Sequence, residues 1–246
     1  MQKISGIVAT DLCLSRSEKV LFKSANFCLS RGEIVGLCGL NGSGKSTFCY
    51  ALLGLSAVDS GNIYFRSMNA DGRSELLEPS RSMWRDLVYF VFQNPDCQIV
   101  GSLVRDDVAF AGENRGVARE ILQARVAEAL DLVGLSGFDM RSPNSLSGGQ
   151  KQRLAIAGSI VAQASFLILD EPFAMLDPMG RKQLRLLLQE LVCKRDLGIL
   201  IVSHMAHELS LMSRNYAIHQ HKLKEFNPGR NLFESRVFKD LGFCEP

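Results

Sequence analysis

Nine residues restrict this chain more than any others: Gly39-Leu40-Asn41-Gly42-Ser43-Gly44-Lys45-Ser46-Thr47. They fit G-x-x-x-x-G-K-[ST] and lie where that pattern has a physical meaning. Before them, Ile34-Val35-Gly36-Leu37-Cys38 reads as a short buried strand; after them, Thr47 to Leu55 reads as the first turns of a helix. Strand, glycine turn and helix start, in that order, make a hollow for an anion. Glycines accept positive φ, so successive backbone N–H groups can point into one space. The helix start adds its partial positive charge at the same place. A turn that was merely tight would leave Lys45 and Ser46 without a reason. In a phosphate cradle, Lys45 reaches the β- and γ-phosphates and Ser46 offers its hydroxyl to magnesium.

The rest of the composition bounds what such a cradle belongs to. At 246 residues the chain can build one large α/β domain, or one with a sizeable inserted subdomain. Its 28 basic and 26 acidic residues leave a net charge of +2, and the Lys and Arg are dispersed, so nothing marks a nucleic-acid binder. Seven cysteines, at positions 13, 28, 38, 49, 97, 193 and 244, form an odd set without a C-x-x-C pair. Several lie in apolar runs, where Cys acts as a small hydrophobe, so a reducing compartment is expected and disulfide or metal roles are not. The segment Met1-Gln2-Lys3-Ile4-Ser5-Gly6 has no apolar core of signal-peptide length. The longest apolar candidate, Ala155 to Leu169, is broken by Gly158, Ser159, Gln163 and Ser165, short of the ~20 residues that span a bilayer. A cytoplasmic protein is expected, acting at a membrane only through a partner.

Taken in order, residues 4–14 and 20–29 read as a hairpin-like pair of strands leading into the cradle strand. Asp59-Ser60-Gly61 is a turn, and Asn62-Ile63-Tyr64-Phe65 a strand. Residues 66–84, polar and holding Gly72, Pro79 and Trp84, read as an exposed loop. Leu87 to Phe92 is again a buried strand. From Pro95 the pattern turns helical for about seventy residues: Val117 to Val133 places Ile121, Leu122, Val126, Leu130 and Val133 on one face, and Gly134 stops it. This predicts a core formed by residues 1–94 and 166–246, with a helical insertion over about 95–165. Phe166 to Leu169 is a strand that runs into Asp170-Glu171-Pro172. Asp177-Pro178 opens a helix striped with Leu184, Leu187, Leu188 and Leu191. Gly198 to Val202 is a buried strand delivering Ser203-His204. Residues 205–213 read as helical and 216–226 as an edge hairpin, with His219 and His221 on one face of a strand; a metal pair there has no third ligand in view.

Four strand ends therefore carry polar residues: the cradle, Gln93, Asp170-Glu171 and His204. Ligands of an open α/β sheet sit beyond the carboxyl ends of its strands. Asp170 is placed as the carboxylate that holds magnesium, and Glu171 as the base that polarises a water. Leu146-Ser147-Gly148-Gly149-Gln150 stands before a second helix, Lys151 to Val161, which Ser147 can cap while the glycines leave N–H groups open to an anion. Two phosphate-binding helix starts and one nucleotide suggest a head-to-tail dimer.

Together, Gly39–Thr47, Gln93, Leu146–Gln150, Phe166–Pro172, Leu176-Asp177 and His204 resemble the ATP-binding-cassette ATPases over about residues 5–210. More narrowly, the run from Phe92-Gln93-Asn94-Pro95-Asp96-Cys97-Gln98 to Ile99-Val100-Gly101, then Asp107-Val108-Ala109-Phe110, is similar to the ATPases of energy-coupling factor transporters, importers of vitamins and of cobalt or nickel. The resemblance implies a P-loop α/β core with an antiparallel β subdomain and an inserted helical subdomain. It implies ATP with Mg2+ held by Ser46, Gln93 and Asp170, Glu171 as general base, and His204 as a switch residue on the γ-phosphate. Gln93 would relay nucleotide state to a membrane partner. Ser147, Gly148, Gly149, Gln150 and Asp177 would meet the nucleotide or the D-loop of a second ATPase subunit, identical or paralogous. Integral membrane coupling and substrate-binding subunits would complete the importer, at the cytoplasmic face of the cell membrane.

Two departures accompany it. The family usually carries an adenine-stacking aromatic near positions 15–16; here Ser15-Arg16 stands, and the Arg16 guanidinium plane is the candidate replacement. Typical energy-coupling ATPases also carry a longer C-terminal segment that helps dimerise, so reduced dimer contacts are expected. The alternatives are the ATPase of a conventional importer or exporter, against which Asn94-Pro95-Asp96 argues, and a soluble cassette ATPase of DNA repair or translation. The long coiled coils, zinc motifs or paired cassettes of the latter do not occur.

Overall fold

The computed structural model of the chain describes residues 3–16, 19–69, 71–210 and 212–226. It divides into two compact units, Met1–Arg85 with Gly198–Pro246, and Asp86–Leu197.

The first unit contains two sheets. In one, β1 (Lys3–Arg16) pairs antiparallel with β2 (Lys19–Ser30) and with β4 (Ser60–Met68), and β4 pairs with β5 (Ser74–Leu77), giving the order β2-β1-β4-β5. Along β1 the buried residues change parity, from Ile7 and Ala9 to Leu12 and Leu14. Asp11 takes up the slip at φ 47°, beside register shifts towards both neighbouring strands, so it is the extra residue of a bulge. In the other sheet, β3 (Ile34–Gly39) lies parallel to β8 (Gly198–Val202) and to β9 (Arg214–His219), and β10 (Lys222–Phe226) returns antiparallel to β9. Helix α1 (Lys45–Leu52) follows the cradle loop. It sends Phe48, fully buried, between Phe22 and Phe27 with ring centroids 5.4 and 5.2 Å away. Tyr216 of β9 lies 4.8 Å from Phe27, so strands of both sheets and α1 share one aromatic core.

Four expectations are corrected in this unit. Much of the stretch expected as a loop forms regular elements instead: β4 runs to Met68, β5 pairs back onto it, and α2 (Arg81–Leu87) carries Trp84. The Trp84 ring sits 4.8 Å from Phe65 and covers Gly54, where an added Cβ would meet the indole at 2.6 Å. Each of these elements packs only one face, so its polar composition conceals it. The hairpin expected at 216–226 begins at Arg214, and β9 lies inside the sheet between β3 and β10. Gln220 and His221 form its two-residue turn, at φ 49° and 62°, so His219 and His221 do not share a strand face. Finally, the helix expected over 205–213 is the single turn α7 (Ala206–Leu209). The Leu209 carbonyl accepts from Met212 N at 3.2 Å and from Asn215 Nδ2 at 3.0 Å, while Ser213 N, the donor a continuing helix would aim at it, goes to the Ile34 carbonyl at 3.1 Å.

In the second unit, β6 (Val88–Val91) pairs parallel with β7 (Phe166–Asp170), with Val88 opposite Phe166 and Val91 opposite Leu169. Helices α3 (Val104–Glu113), α4 (Arg119–Leu132) and α5 (Gly148–Val161) pack on one another. Helix α6 (Pro178–Arg195) buries the expected leucine stripe, Leu184, Leu187, Leu188 and Leu191. On α4 the buried face is Leu122, Val126, Ala129 and Leu130, continued by Val133. Ile121, expected on that face, is 52% exposed, because one residue rotates a helix position by about 100°. Gly134, at φ 67°, ends the segment as expected.

Among the described residues no helix is long and apolar enough to cross a membrane.

Candidate functional site

The two units each present a set of the residues singled out by sequence. In the first unit the parallel register Leu37 to Val202 sends both β3 and β8 out at the same end. The loop Gly39–Gly44 and the pair Ser203-His204 therefore emerge side by side from neighbouring strands. Ser203 N donates to the Leu37 carbonyl at 3.1 Å, which extends that pairing one step further.

The loop has the backbone of a cradle. Gly42 and Gly44 take φ of 74° and 103°, which a side chain would resist. Gly44 is the N-cap of α1 with no side-chain cap, and a Cβ there would lie 3.0 Å from Phe22 and 3.1 Å from Leu21. The N–H groups of the first helical turn have no intrahelical acceptors, so the end is built to receive an external one. Lys45 is 8% exposed, and its ammonium donates to the carbonyls of Gly39 at 2.9 Å and Leu40 at 3.1 Å, holding it over the loop. The Ser43 hydroxyl is buried without a hydrogen-bond partner. Asn41 and Gly42 are exposed, Ser46 is half-buried and Thr47 is buried. An orphaned hydroxyl, an uncapped helix end and a clamped ammonium together fit a bound phosphate chain. Just before the loop, burial pushes the Cys38 thiol up to about 12 against the lowering pull of the Lys45 charge. Cys38 is thus a packing residue there, as its apolar surroundings predict.

His204 is exposed at its strand end, and Arg16, the candidate adenine platform, is exposed at the end of β1. The chain beyond Phe226, which bears on the expected dimer contacts, lies outside the described residues.

In the second unit, the parallel pairing of β6 and β7 brings Gln93 and Asp170-Glu171 to one end. The Gln93 amide donates to Glu171 Oε2 at 3.1 Å. Glu171 itself sits at φ 46°, in the left-handed region that non-glycine residues seldom take, a form of strain worth of order 1–3 kcal/mol that gathers at functional sites. Asp170 ends β7, half-buried.

Helix α5 starts at the expected place and with more structure than expected. Ser147 caps it by accepting from Gln150 N at 3.4 Å, and Gln150 reaches back to accept from Ser147 N at 2.8 Å, a reciprocal capping box. Gly148 is open, with nothing within 4 Å of where a Cβ would stand. Asp177 caps α6 through Gly180 N at 2.7 Å. These two caps face one concavity of about 360 Å³, lined by Ser147, Gly149, Met175, Asp177 and Gly180 among others. A second hollow, of about 190 Å³, joins Gln93, Gly148 and Glu171.

Three contacts of this unit escape sequence reasoning. Lys151 Nζ holds the Asp96 carboxylate at 2.7 Å. Asn94 caps the 3-10 turn Pro95–Cys97 through Asp96 N at 3.1 Å. Gln98 accepts from Phe92 N at 3.3 Å and donates to the Phe90 carbonyl at 3.1 Å, closing the loop after Gln93. The first and last pair residues that no local spacing links. The Gln150 half of the capping box was readable, since S-x-x-Q is its signature.

Residues 22–174 match the model of the ABC transporter family. An energy-coupling factor transporter ATP-binding protein, EcfA1 of Streptococcus thermophilus, is 42% identical over 222 residues, covering 90% of this chain and 78% of that protein. Its counterpart in Streptococcus pneumoniae is 38% identical over 224 residues, covering 91% and 79%. The solved structure of cbiO1 from Clostridium perfringens, described as part of the ABC transporter complex cbiONQ, superposes with a TM-score of 0.83 at 30% identity, over 98% of this chain and 95% of that one.

Proposed function

This chain belongs to the ABC transporter family, with energy-coupling factor ATPases among its relatives, and from that premise we propose that it hydrolyses ATP to power uptake of a vitamin or transition-metal ion. The observation that carries the reading is the Gly39–Gly44 loop, with its two left-handed glycines, clamped Lys45 and orphaned Ser43 hydroxyl. Such a loop is suited to a polyphosphate and to little else.

In this reading Gly39, Asn41, Gly42, Ser43, Gly44 and Thr47 shape the cradle, and Lys45 neutralises the β- and γ-phosphates. The hydroxyl of Ser46, the amide oxygen of Gln93 and the carboxylate of Asp170 are all oxygen donors, the ligand type magnesium takes. Magnesium, when bound, offsets charge on the phosphates and orients them. Glu171 accepts the proton of the attacking water, and the Gln93 amide keeps its carboxylate turned to that task. His204 donates to the γ-phosphate. Catalysis is then positioning plus charge stabilisation of an in-line displacement.

Ser147, Gly148, Gly149 and Gln150 act on the nucleotide of a second ATPase subunit, and Asp177 meets that subunit beside them. The shared concavity of the α5 and α6 starts supports this pairing. Membrane coupling and substrate-binding subunits complete the transporter, with this chain on the cytoplasmic face; the name of the cbiONQ complex supports such an assembly.

Glu171→Gln is the test. The variant should keep ATP affinity while turnover falls by about a hundredfold or more. Near-normal turnover would remove Glu171 from the base role. Purification of the tagged chain from detergent-solubilised membranes should bring integral membrane partners with it, and recovery with ribosomes or DNA instead would sink the transport reading.

A further inference from the structure

His204 follows the end of β8 in the first unit, and its surroundings are built with more care than an exposed side chain needs. Ser203 before it is 1% exposed and Glu208 four residues on is 5% exposed, both polar residues buried in the first unit. The Ser203 hydroxyl donates to Glu208 Oε2 at 2.5 Å and accepts from Met205 N at 3.0 Å. It therefore ties the chain on both sides of His204: its own backbone to the Leu37 carbonyl of the cradle strand, and its hydroxyl to the residue after the histidine. Glu208 is held in turn by α7, whose turn closes through Glu208 N to the Met205 carbonyl at 3.1 Å. The far end of α7 is fixed by Asn215, fully buried on β9, through its bond to the Leu209 carbonyl. Asn215 fits only because β3 has glycine opposite it: a Cβ at Gly36 would stand 1.9 Å from Asn215 Oδ1.

We infer that Glu208 is a positioning residue for His204, acting through the Ser203 hydroxyl. Burying a carboxylate costs free energy that packing alone does not return, so a buried glutamate on a serine hydroxyl calls for a reason. Here the bridge fixes the two peptide bonds flanking His204 relative to β3, the strand that carries the cradle. A serine hydroxyl has one proton and two lone pairs; giving the proton to Glu208 orients the lone pairs for Met205 N. Replacing Glu208 frees the hydroxyl to rotate, and the flanking turn loosens with it. Function then suffers through the aim of the imidazole, since small misplacements of a contacting group lower rates steeply.

The inference rests on the proposed contact between His204 and the γ-phosphate, and the experiment separates the two. ATP and ADP affinities and the ATPase turnover of the full chain are measured for Glu208→Gln, Glu208→Ala, Ser203→Ala, Ser203→Thr, His204→Ala and the pair His204→Ala with Glu208→Ala. Glu208→Ala and Ser203→Ala should lower turnover between about ten- and a hundredfold and weaken ATP relative to ADP. Glu208→Gln, which keeps an acceptor, and Ser203→Thr, which keeps the hydroxyl, should recover most of that loss. In the His204→Ala background, Glu208→Ala should add nothing to the ATP-to-ADP preference. Equal weakening of ATP and ADP, or a further loss in that background, overturns the positioning role and leaves only a structural one. An unchanged preference and turnover in His204→Ala alone overturns the γ-phosphate reading instead. If Glu208→Ala fails to fold, the contrast between Ser203→Ala and Ser203→Thr decides the same question.

Discussion

The side-chain amide of Gln93 donates to Glu171 Oε2 at 3.1 Å, across 78 residues of sequence, and both residues emerge from the same end of the β6–β7 pair. Glu171 holds a strained left-handed backbone at that point. A carboxylate turned by its backbone and steadied by one amide is preorganised, and the steadying group comes from a separate loop.

Gln93→Ala should therefore lower turnover by about tenfold while leaving ATP affinity near its original value, because it removes orientation of the base and not the cradle. The measurement is kcat against KM for ATP. A fall in affinity with unchanged kcat would assign Gln93 to binding instead.

Lys151 stands in the first turn of α5, where a positive charge opposes the helix dipole, and Asp96 holds it at 2.7 Å. Asp96 is 54% exposed, so the pair adds at most about 1 kcal/mol to stability. Its effect is to join the loop after Gln93 to the helix that Ser147 caps. Asp96→Lys or Lys151→Asp alone should slow turnover with little change in melting temperature, and the two together should restore much of it. A double-mutant cycle with a coupling energy near zero would show the contact to be incidental.

Gly44→Ala should impair nucleotide binding more than a helix propensity scale suggests. Alanine raises intrinsic helicity, yet here φ is 103° and a methyl would crowd Phe22 at 3.0 Å and Leu21 at 3.1 Å. Equilibrium binding of ATP should weaken markedly, and Lys45→Ala should weaken it further by removing the ammonium. Native affinity in Gly44→Ala would mean that the loop relaxes without loss.

Thiol chemistry provides a check on packing. Burial pushes Cys38 up to about 12, so below that pH it remains a protonated, inaccessible thiol. Because its folded value lies above the ordinary 9.0, folding favours the protonated form; that contribution is present below about 9 and is lost as pH rises through about 12. With iodoacetamide at pH 8, mass spectrometry should find Cys97 and Cys193, both exposed, modified well before Cys38. Early modification of Cys38 would mean that β3 opens readily in solution.

Local chemistry made much of this protein readable before any coordinates. The cradle loop, the Ser147 and Asp177 caps and the leucine stripe of α6 each depend on residues within about one helical turn of each other, so spacing alone reveals them. The same holds for β3, β7 and β8, continuous apolar runs with nothing to hide their character. Where spacing failed, a distant partner had decided the matter. Trp84 looked like a loop residue because the face it covers, Phe65 and Gly54, lies elsewhere in the chain. Ile121 looked like core because its hydrophobicity says nothing of which side α5 lies on. The helix after His204 looked longer because Ser213 N, the donor that would extend it, pairs with the Ile34 carbonyl far back in the chain.

The sequence by itself thus determined the local form of the loop Gly39–Gly44 and the helix start after it, since a cradle needs glycines, a lysine and a hydroxyl in fixed local order. Only the tertiary structure decided how the other polar residues are aimed within each unit: Gln93 on Glu171, Lys151 on Asp96, Glu208 through Ser203 to the turn that bears His204. Backbone conformation and capping are written over a few residues, whereas the direction of a side chain is fixed by whatever the fold brings against it.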